Sequence, residues 1–342
     1  LKENDVTSLL REVSRSFYLT LRALPGGVRA PIGLAYLLAR TTDTIADTKL
    51  LEVDLRLQAL EQWRGRILGK EGGSLDFKTL APSQALPAER VLLERGEEII
   101  RLLDDCEEDD RKRIRKVLET IVSGQELDLR RFGAASVKRI VTLQSDAELD
   151  DYTYRVAGCV GEFWTEMCLG HLFRLEDAEA AQLKEDGVRF GKGLQLVNIL
   201  RDLPRDLREG RCYLPGPRLA EAGISAADLL SAETMTSFRG LYDSYLDTAE
   251  GHLAAGWAYT NSLPGDQRRL RLACAWPILI GVRTLRKLRV ENALDAGRRI
   301  KVSRSEVRGL IARSILLYPW RGLWQKQLGT LPNEVASRHA FR

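Results

Sequence analysis

Arg40-Thr-Thr-Asp-Thr-Ile-Ala-Asp47 and, far downstream, Gln195-Leu-Val-Asn-Ile-Leu-Arg-Asp-Leu-Pro-Arg-Asp206 set two pairs of carboxylates into sequence that otherwise reads as amphipathic helix. Residues four apart share a helix face, so Asp43 with Asp47, and Asp202 with Asp206, each present their oxygens in one direction. Two such helices facing each other would form a strongly anionic pocket. A lone Asp-x-x-x-Asp is usually a solvated face. Here both pairs follow largely apolar runs, 32–39 and 194–200, in which an unpaired acid is costly to bury. The expected ligand is a hard cation, Mg²⁺ with Mn²⁺ as the alternative, held by a few carboxylates and leaving positions for water and phosphate oxygens, as a bound diphosphate requires. Arg40 and Arg201 precede the first Asp of each pair and suit direct contact with phosphate oxygens.

Working outward, apolar residues recur at spacings of three and four over 8–24, 31–47, 53–68, 89–103, 111–129, 147–172, 178–207, 238–263, 267–288 and 304–316, which predicts helices there. Alternating strand patterns are scarce. Breaks are expected at 25–27, 69–87, 210–217 and 263–265, where Pro and Gly gather. The 69–87 segment reads as a surface excursion, so residues 1–342 are expected to form a single all-α domain.

Composition narrows the function classes. With 44% hydrophobic and 29% charged residues in 342, the chain can bury a large core, and a net charge of +4 gives no argument for nucleic acid. Local basicity is concentrated at 283–304, which holds eight Lys and Arg against two acids. Such a run can serve a phosphorylated cofactor, an anionic membrane or simply solvent. Five cysteines without C-x-x-C spacing fit reduced thiols in a cytoplasmic protein. His171, His252 and His339 are far apart, and nothing points to a zinc site or a Ser-His-Asp triad. The longest uncharged apolar stretch, 272–282, is too short to span a bilayer. No signal peptide is visible, and because the sequence starts at Leu1 a removed leader stays open.

Four blocks, in order, carry a resemblance to the squalene and phytoene synthase family: Ser14-Arg-Ser-Phe17, the Arg40 to Asp47 run, Tyr152-Thr-Tyr-Arg-Val-Ala-Gly-Cys-Val-Gly161, and the Gln195 to Asp206 run followed by Gly210-Arg-Cys-Tyr-Leu-Pro215. The likeness extends from about residue 14 to residue 310, and the first two blocks look more like squalene synthases than phytoene synthases. It implies an isoprenoid synthase helical bundle around a central pocket. It also implies head-to-head condensation of two farnesyl diphosphates to presqualene diphosphate, then NADPH-dependent rearrangement to squalene. The alternatives are enzymes that stop at presqualene diphosphate or make dehydrosqualene or phytoene. A non-catalytic prenyl-lipid binder would be expected to have lost part of the acidic and basic set, which is intact.

By the same resemblance, Asp43, Asp47, Asp202 and Asp206 hold the metal. Arg15, Arg40, Arg201 and Arg211 contact diphosphate, with Ser14, Phe17, Tyr36, Gln195 and Asn198 lining the substrate site. Tyr152 matches the tyrosine that assists the first condensation, and Lys301 and Arg304 would bind NADPH, although Ser303 stands where a further basic residue is expected. Phe163 is a candidate wall for a carbocation or a plain core residue. Gly158 and Gly161 disfavour helix, which predicts close approach of either substrate or a neighbouring helix. Asp128 is a weaker acidic candidate. Pro204 is expected to bend its helix and shift Asp206, making Asp206 the least secure ligand, with Arg205 read as solvated or as a direct diphosphate contact. The aromatic and basic stretch with Trp320, Trp324 and Lys326 is expected to touch the inner membrane surface transiently. Oligomeric state is left open.

Overall fold

The computed structural model describes residues 3–14, 17–48, 51–70, 77, 80–84 and 86–329. Contacts group the chain into two compact units, Leu1–Gly133 with Glu162–Glu176, and Ala134–Gly161 with Asp177–Arg342. Helix dominates both, as the periodicity predicts, and no helix among the described residues is long and apolar enough to cross a membrane.

The first unit contains α1 (Glu3–Val13), α2 (Phe17–Ala23), α3 (Gly26–Ala46), α4 (Val53–Ile67), α5 (Pro87–Glu94), α6 (Gly96–Asp104) and α7 (Glu108–Phe132). Helix α3 is its centre and packs against α4, α5, α6 and α7. Leu34, Leu37, Leu38 and Ile45 form its buried face. The buried threonines on α3 cost little, because Thr41, Thr42 and Thr44 each donate their hydroxyl to the carbonyl four residues back. The segments expected as single helices at 8–24 and 89–103 are each divided in two. The expected break at 25–27 falls at Leu24 and Pro25, and α3 starts at Gly26. Pro25, extended at φ −55° and ψ 151°, precedes the first turn, where free N–H groups need no helical partner.

The second unit runs β1 (Val141–Leu143), α8 (Asp146–Thr153), a π-helical turn (Tyr154–Gly158), α9 (Cys159–His171, whose residues from Glu162 belong to the first unit), α10 (Asp177–Arg208), β2 (Arg211–Pro215), α11 (Gly216–Glu221), α12 (Met235–Ser262), α13 (Arg268–Val290), α14 (Arg304–Leu317) and α15 (Arg321–Gln325). Helix α10 packs against α12, α13 and the π turn. The π turn crosses α10 backbone to backbone. A Cβ on Gly161 would lie 1.8 Å from the Gly187 carbonyl oxygen, and one on Gly191 would lie 2.2 Å from that of Ala157. Helix packing therefore accounts for Gly161. The strands, which the sequence does not foreshadow, pair in parallel; Thr142 faces Cys212 and Leu143 faces Pro215, so Tyr213 and Leu214 bulge out of register.

Pro204 does not end its helix: α10 continues to Arg208. Proline cannot donate to the Leu200 carbonyl, and the Tyr242 hydroxyl of α12 donates to that oxygen instead, at 3.0 Å. A long-range contact thus replaces the missing local one.

Candidate active site

In the first unit, Tyr36, Arg40, Asp43 and Asp47 follow one another along a single face of α3, opposite the apolar one. Asp43 lies in the last turn, and Asp47 is the C-cap, its N–H bonded to the Asp43 carbonyl at 2.8 Å. The negative end of a helix dipole is an unfavourable place for acids, worth about 0.3–1 kcal/mol each, and a favourable one for cations. Gln125 of α7 donates to Asp43 Oδ1 at 2.7 Å. Arg40 lies 3.8 Å from Asp43 and forms a short ion pair with Glu89 of α5. Desolvation, reinforced by the charge of Asp47, pushes the Asp43 carboxyl up to about 7 against the opposing effects of Arg40 and Gln125. Its side chain still keeps 39% of its surface open. Asp43 is thus a desolvated carboxyl that remains reachable, and the arrival of a cation would favour its charged form.

The Tyr36 hydroxyl donates to Val13 O at 3.5 Å, and the buried Ser14 turns its hydroxyl back onto Leu10 O. Arg15 lies outside the described residues, as does the side chain of Phe17. Phe163 is buried.

In the second unit, Gln195, Asn198, Asp202 and Asp206 make a polar stripe along α10, opposite the buried Leu196, Leu200, Leu203 and Leu207. Arg201 grips Asp202 with two hydrogen bonds, Nε to Oδ1 at 2.9 Å and Nη2 to Oδ2 at 2.7 Å. Desolvation works against the Asp202 charge. The Arg201 bonds, with the charges of Arg201, Arg205 and Arg299, outweigh it and hold Asp202 below the usual carboxylate range. Asp206 is 13% exposed, and desolvation pushes it up to about 6 although Arg205 donates to its Oδ1 at 3.3 Å. Arg205 therefore attends Asp206, and its side chain stays 65% exposed. Arg211 opens β2, directly after the loop that ends α10.

Tyr152 lies in the last turn of α8, just before the π turn, and is buried, stacked on Tyr213 with ring centroids 4.8 Å apart. The β2 bulge at Tyr213 accompanies that stacking.

These groups fit Mg²⁺ by donor chemistry, since all four candidate ligands are hard carboxylate oxygens. Among the described residues no three His, Cys, Asp or Glu side chains gather to hold a metal ion.

Most of the basic run is committed internally. Lys287 and Arg283 pair with Glu306, Arg289 with Asp247 and Glu250, and Arg298 with Glu291, while Arg286 donates to Leu328 O. Lys301 and Arg304 are exposed and have no acidic partner among the described residues, so their charges are available to a phosphate. Ser303 is the N-cap of α14 in a capping box with Glu306, which gives a structural reason for serine where a base was expected.

Sequence reasoning missed Gln125, Glu89 and Tyr213. Gln125 lies three residues before Asp128, one turn from an acid already singled out, and Tyr213 sits inside a quoted block; Glu89 carries no local signal. Asp128 is buried on α7.

A family model described as squalene/phytoene synthase matches residues 10–306. A presqualene diphosphate synthase of Rhodopseudomonas palustris is 29% identical over 249 residues, 73% of this chain and 75% of that protein. One of Zymomonas mobilis is 30% identical over 250 residues, covering 71% and 70%. The solved structure of TcSQS with the ligand BPH1237 superposes with a TM-score of 0.76 over 98% of this chain and 91% of its own, at 21% identity, which shows a shared fold.

Proposed function

Because the chain belongs to the squalene/phytoene synthase family, we propose that it condenses two farnesyl diphosphates to presqualene diphosphate. The observation that carries this reading is the pair of Asp motifs near helix C-termini, each with attendant arginine. Two relatives named presqualene diphosphate synthase support the product assignment.

Asp43 with Asp47, and Asp202 with Asp206, would each hold Mg²⁺. Bound there, the ion supplies neutralisation of the leaving diphosphate. Arg40, Arg201 and Arg211 would bind diphosphate oxygens directly, and each of the first two already rests on a carboxylate that substrate would exchange for a phosphate. Gln125 fixes one Asp43 oxygen and so limits the directions in which that carboxylate can bind. Closing the cyclopropane ring releases a proton, and Tyr152, held by the ring of Tyr213, is the group proposed to accept it or pass it to the departing diphosphate.

A second reading adds NADPH-dependent reduction to squalene. Lys301 and Arg304 favour it, as exposed bases with no acidic partner among the described residues, and Arg299, whose charge reaches Asp202, supports it. Bound NADPH would supply a hydride.

Labelled farnesyl diphosphate, incubated with Mg²⁺ with and without NADPH and quenched for product separation, tests both readings. Presqualene diphosphate is expected with Mg²⁺ when NADPH is absent. Squalene appearing only with NADPH, and lost in Lys301→Ala with presqualene diphosphate accumulating, would establish the second reading. No diphosphate release in Mg²⁺ would refute the first.

A further inference from the structure

The C-terminal helices sort their apolar residues into two sets. The inner set is fully used. Trp324 is 2% exposed, stacks on Trp257 at 5.2 Å and donates Nε1 to Asn261 Oδ1 at 2.9 Å; Ser314, buried on α14, accepts from Trp276 Nε1 at 2.9 Å. Trp324, expected to reach a membrane, is therefore a core residue. The outer set remains in solvent: Ile315 is 40% exposed, Leu316 66%, Trp320 54% and Leu323 49%. Single exposed apolar residues are ordinary, but four within nine positions, on two helices that pack together, are not.

Charge indicates what meets this face. Arg308, Arg313, Arg321 and Lys326 are exposed around it and have no acidic partner among the described residues. Glu306, the one acid between 304 and 326, is occupied by Lys287, Arg283 and the Ser303 cap. Gly309, Ala312 and Leu316 follow one another on the exposed side of α14 by helical spacing, and Arg308 and Arg313 adjoin that stripe. An apolar ridge with an indole among unpaired cations matches the boundary between acyl chains and anionic headgroups, where tryptophan concentrates and basic side chains reach phosphates. A second copy of the same face would set like charges against like.

We propose that the α14–α15 face docks the protein onto an anionic bilayer surface, with Leu316, Trp320 and Leu323 entering the headgroup boundary and Arg308, Arg313 and Arg321 pairing with lipid phosphates. The proposal stands independently of the reaction assigned above.

The full chain would be sedimented with phosphatidylcholine vesicles with and without phosphatidylglycerol, at low and high salt. Binding is expected to require phosphatidylglycerol and to weaken with salt. Each of Arg308→Gln, Arg313→Gln and Arg321→Gln should weaken partitioning about fivefold. The triple variant Leu316→Ser, Trp320→Ser, Leu323→Ser should weaken it about tenfold or more, with only a small fall in melting temperature because about half or more of each residue's surface is open to solvent. Wild-type fluorescence should shift blue on vesicles, and Trp320→Phe should lose most of that shift. Equal vesicle binding by wild type and triple variant would overturn the proposal. So would binding indifferent to phosphatidylglycerol, or a wild-type dimer in lipid-free buffer that the triple variant converts to monomer.

Discussion

Gly161→Ala tests the crossing that sets the π turn, and Tyr152 with it, onto α10. The added methyl would lie 1.8 Å from the Gly187 carbonyl oxygen and 2.4 Å from its carbon. Those atoms belong to backbone inside α10 and cannot rotate away, so the two elements must separate. Overpacking of this kind costs about 1–3 kcal/mol, and a contact with rigid backbone belongs at the upper end. The better helix propensity of alanine returns about 1 kcal/mol, leaving a net loss of about 2 kcal/mol. For a cooperative unit of this size, that lowers the melting temperature by about 4–8 °C. Gly240→Ala is the control of opposite sign: it lies inside α12, is exposed and has nothing within 4 Å of the new methyl, so it should gain about 1 kcal/mol. Thermal melts followed by circular dichroism measure both. Gly161→Ala melting with the wild type, while Gly240→Ala rises, would show that the helices do not meet backbone to backbone and would refute the packing argument.

Asp43→Asn or Asp202→Asn should lower diphosphate release by about 10²–10³-fold with far-ultraviolet dichroism unchanged, since a positioned charge stabiliser is lost; normal turnover at ordinary Mg²⁺ would remove the metal assignment. Tyr242→Phe should cost about 1–3 kcal/mol by orphaning the Leu200 carbonyl, and much less in a Pro204→Ala background that restores the backbone donor; additive denaturation midpoints would disprove that substitution of bonds. His252, pushed down to about 4 by desolvation and by the charges of Arg189 and Lys192, binds its proton in the unfolded chain before the folded one. Stability should therefore fall as pH drops from about 6.5 toward 4, by about 2 kcal/mol at pH 5, and His252→Gln should remove that increment; parallel stability curves for the two proteins would contradict it.

By itself the sequence determined the helices and the acidic pairs, because both are local properties. A helix is written as a period of three to four residues, and Asp43 with Asp47 or Asp202 with Asp206 share a face wherever the helix sits. Tertiary structure decided what each ambiguous residue does. Trp320 and Trp324 look alike in the chain, yet Trp257 and Asn261 bury one and leave the other in solvent. Pro204 reads as a bend in its helix because the donor it lacks is local, and the Tyr242 hydroxyl that takes the place of that donor comes from another helix. Gln125 reaches Asp43, Glu89 reaches Arg40 and Tyr213 stacks on Tyr152, all across distances along the chain that no periodicity reports. Burial then sets the charge of the carboxyls: Asp43 is pushed up to about 7 and Asp206 to about 6 while Asp202 is held low, a difference that depends on which neighbours desolvate or pair each one.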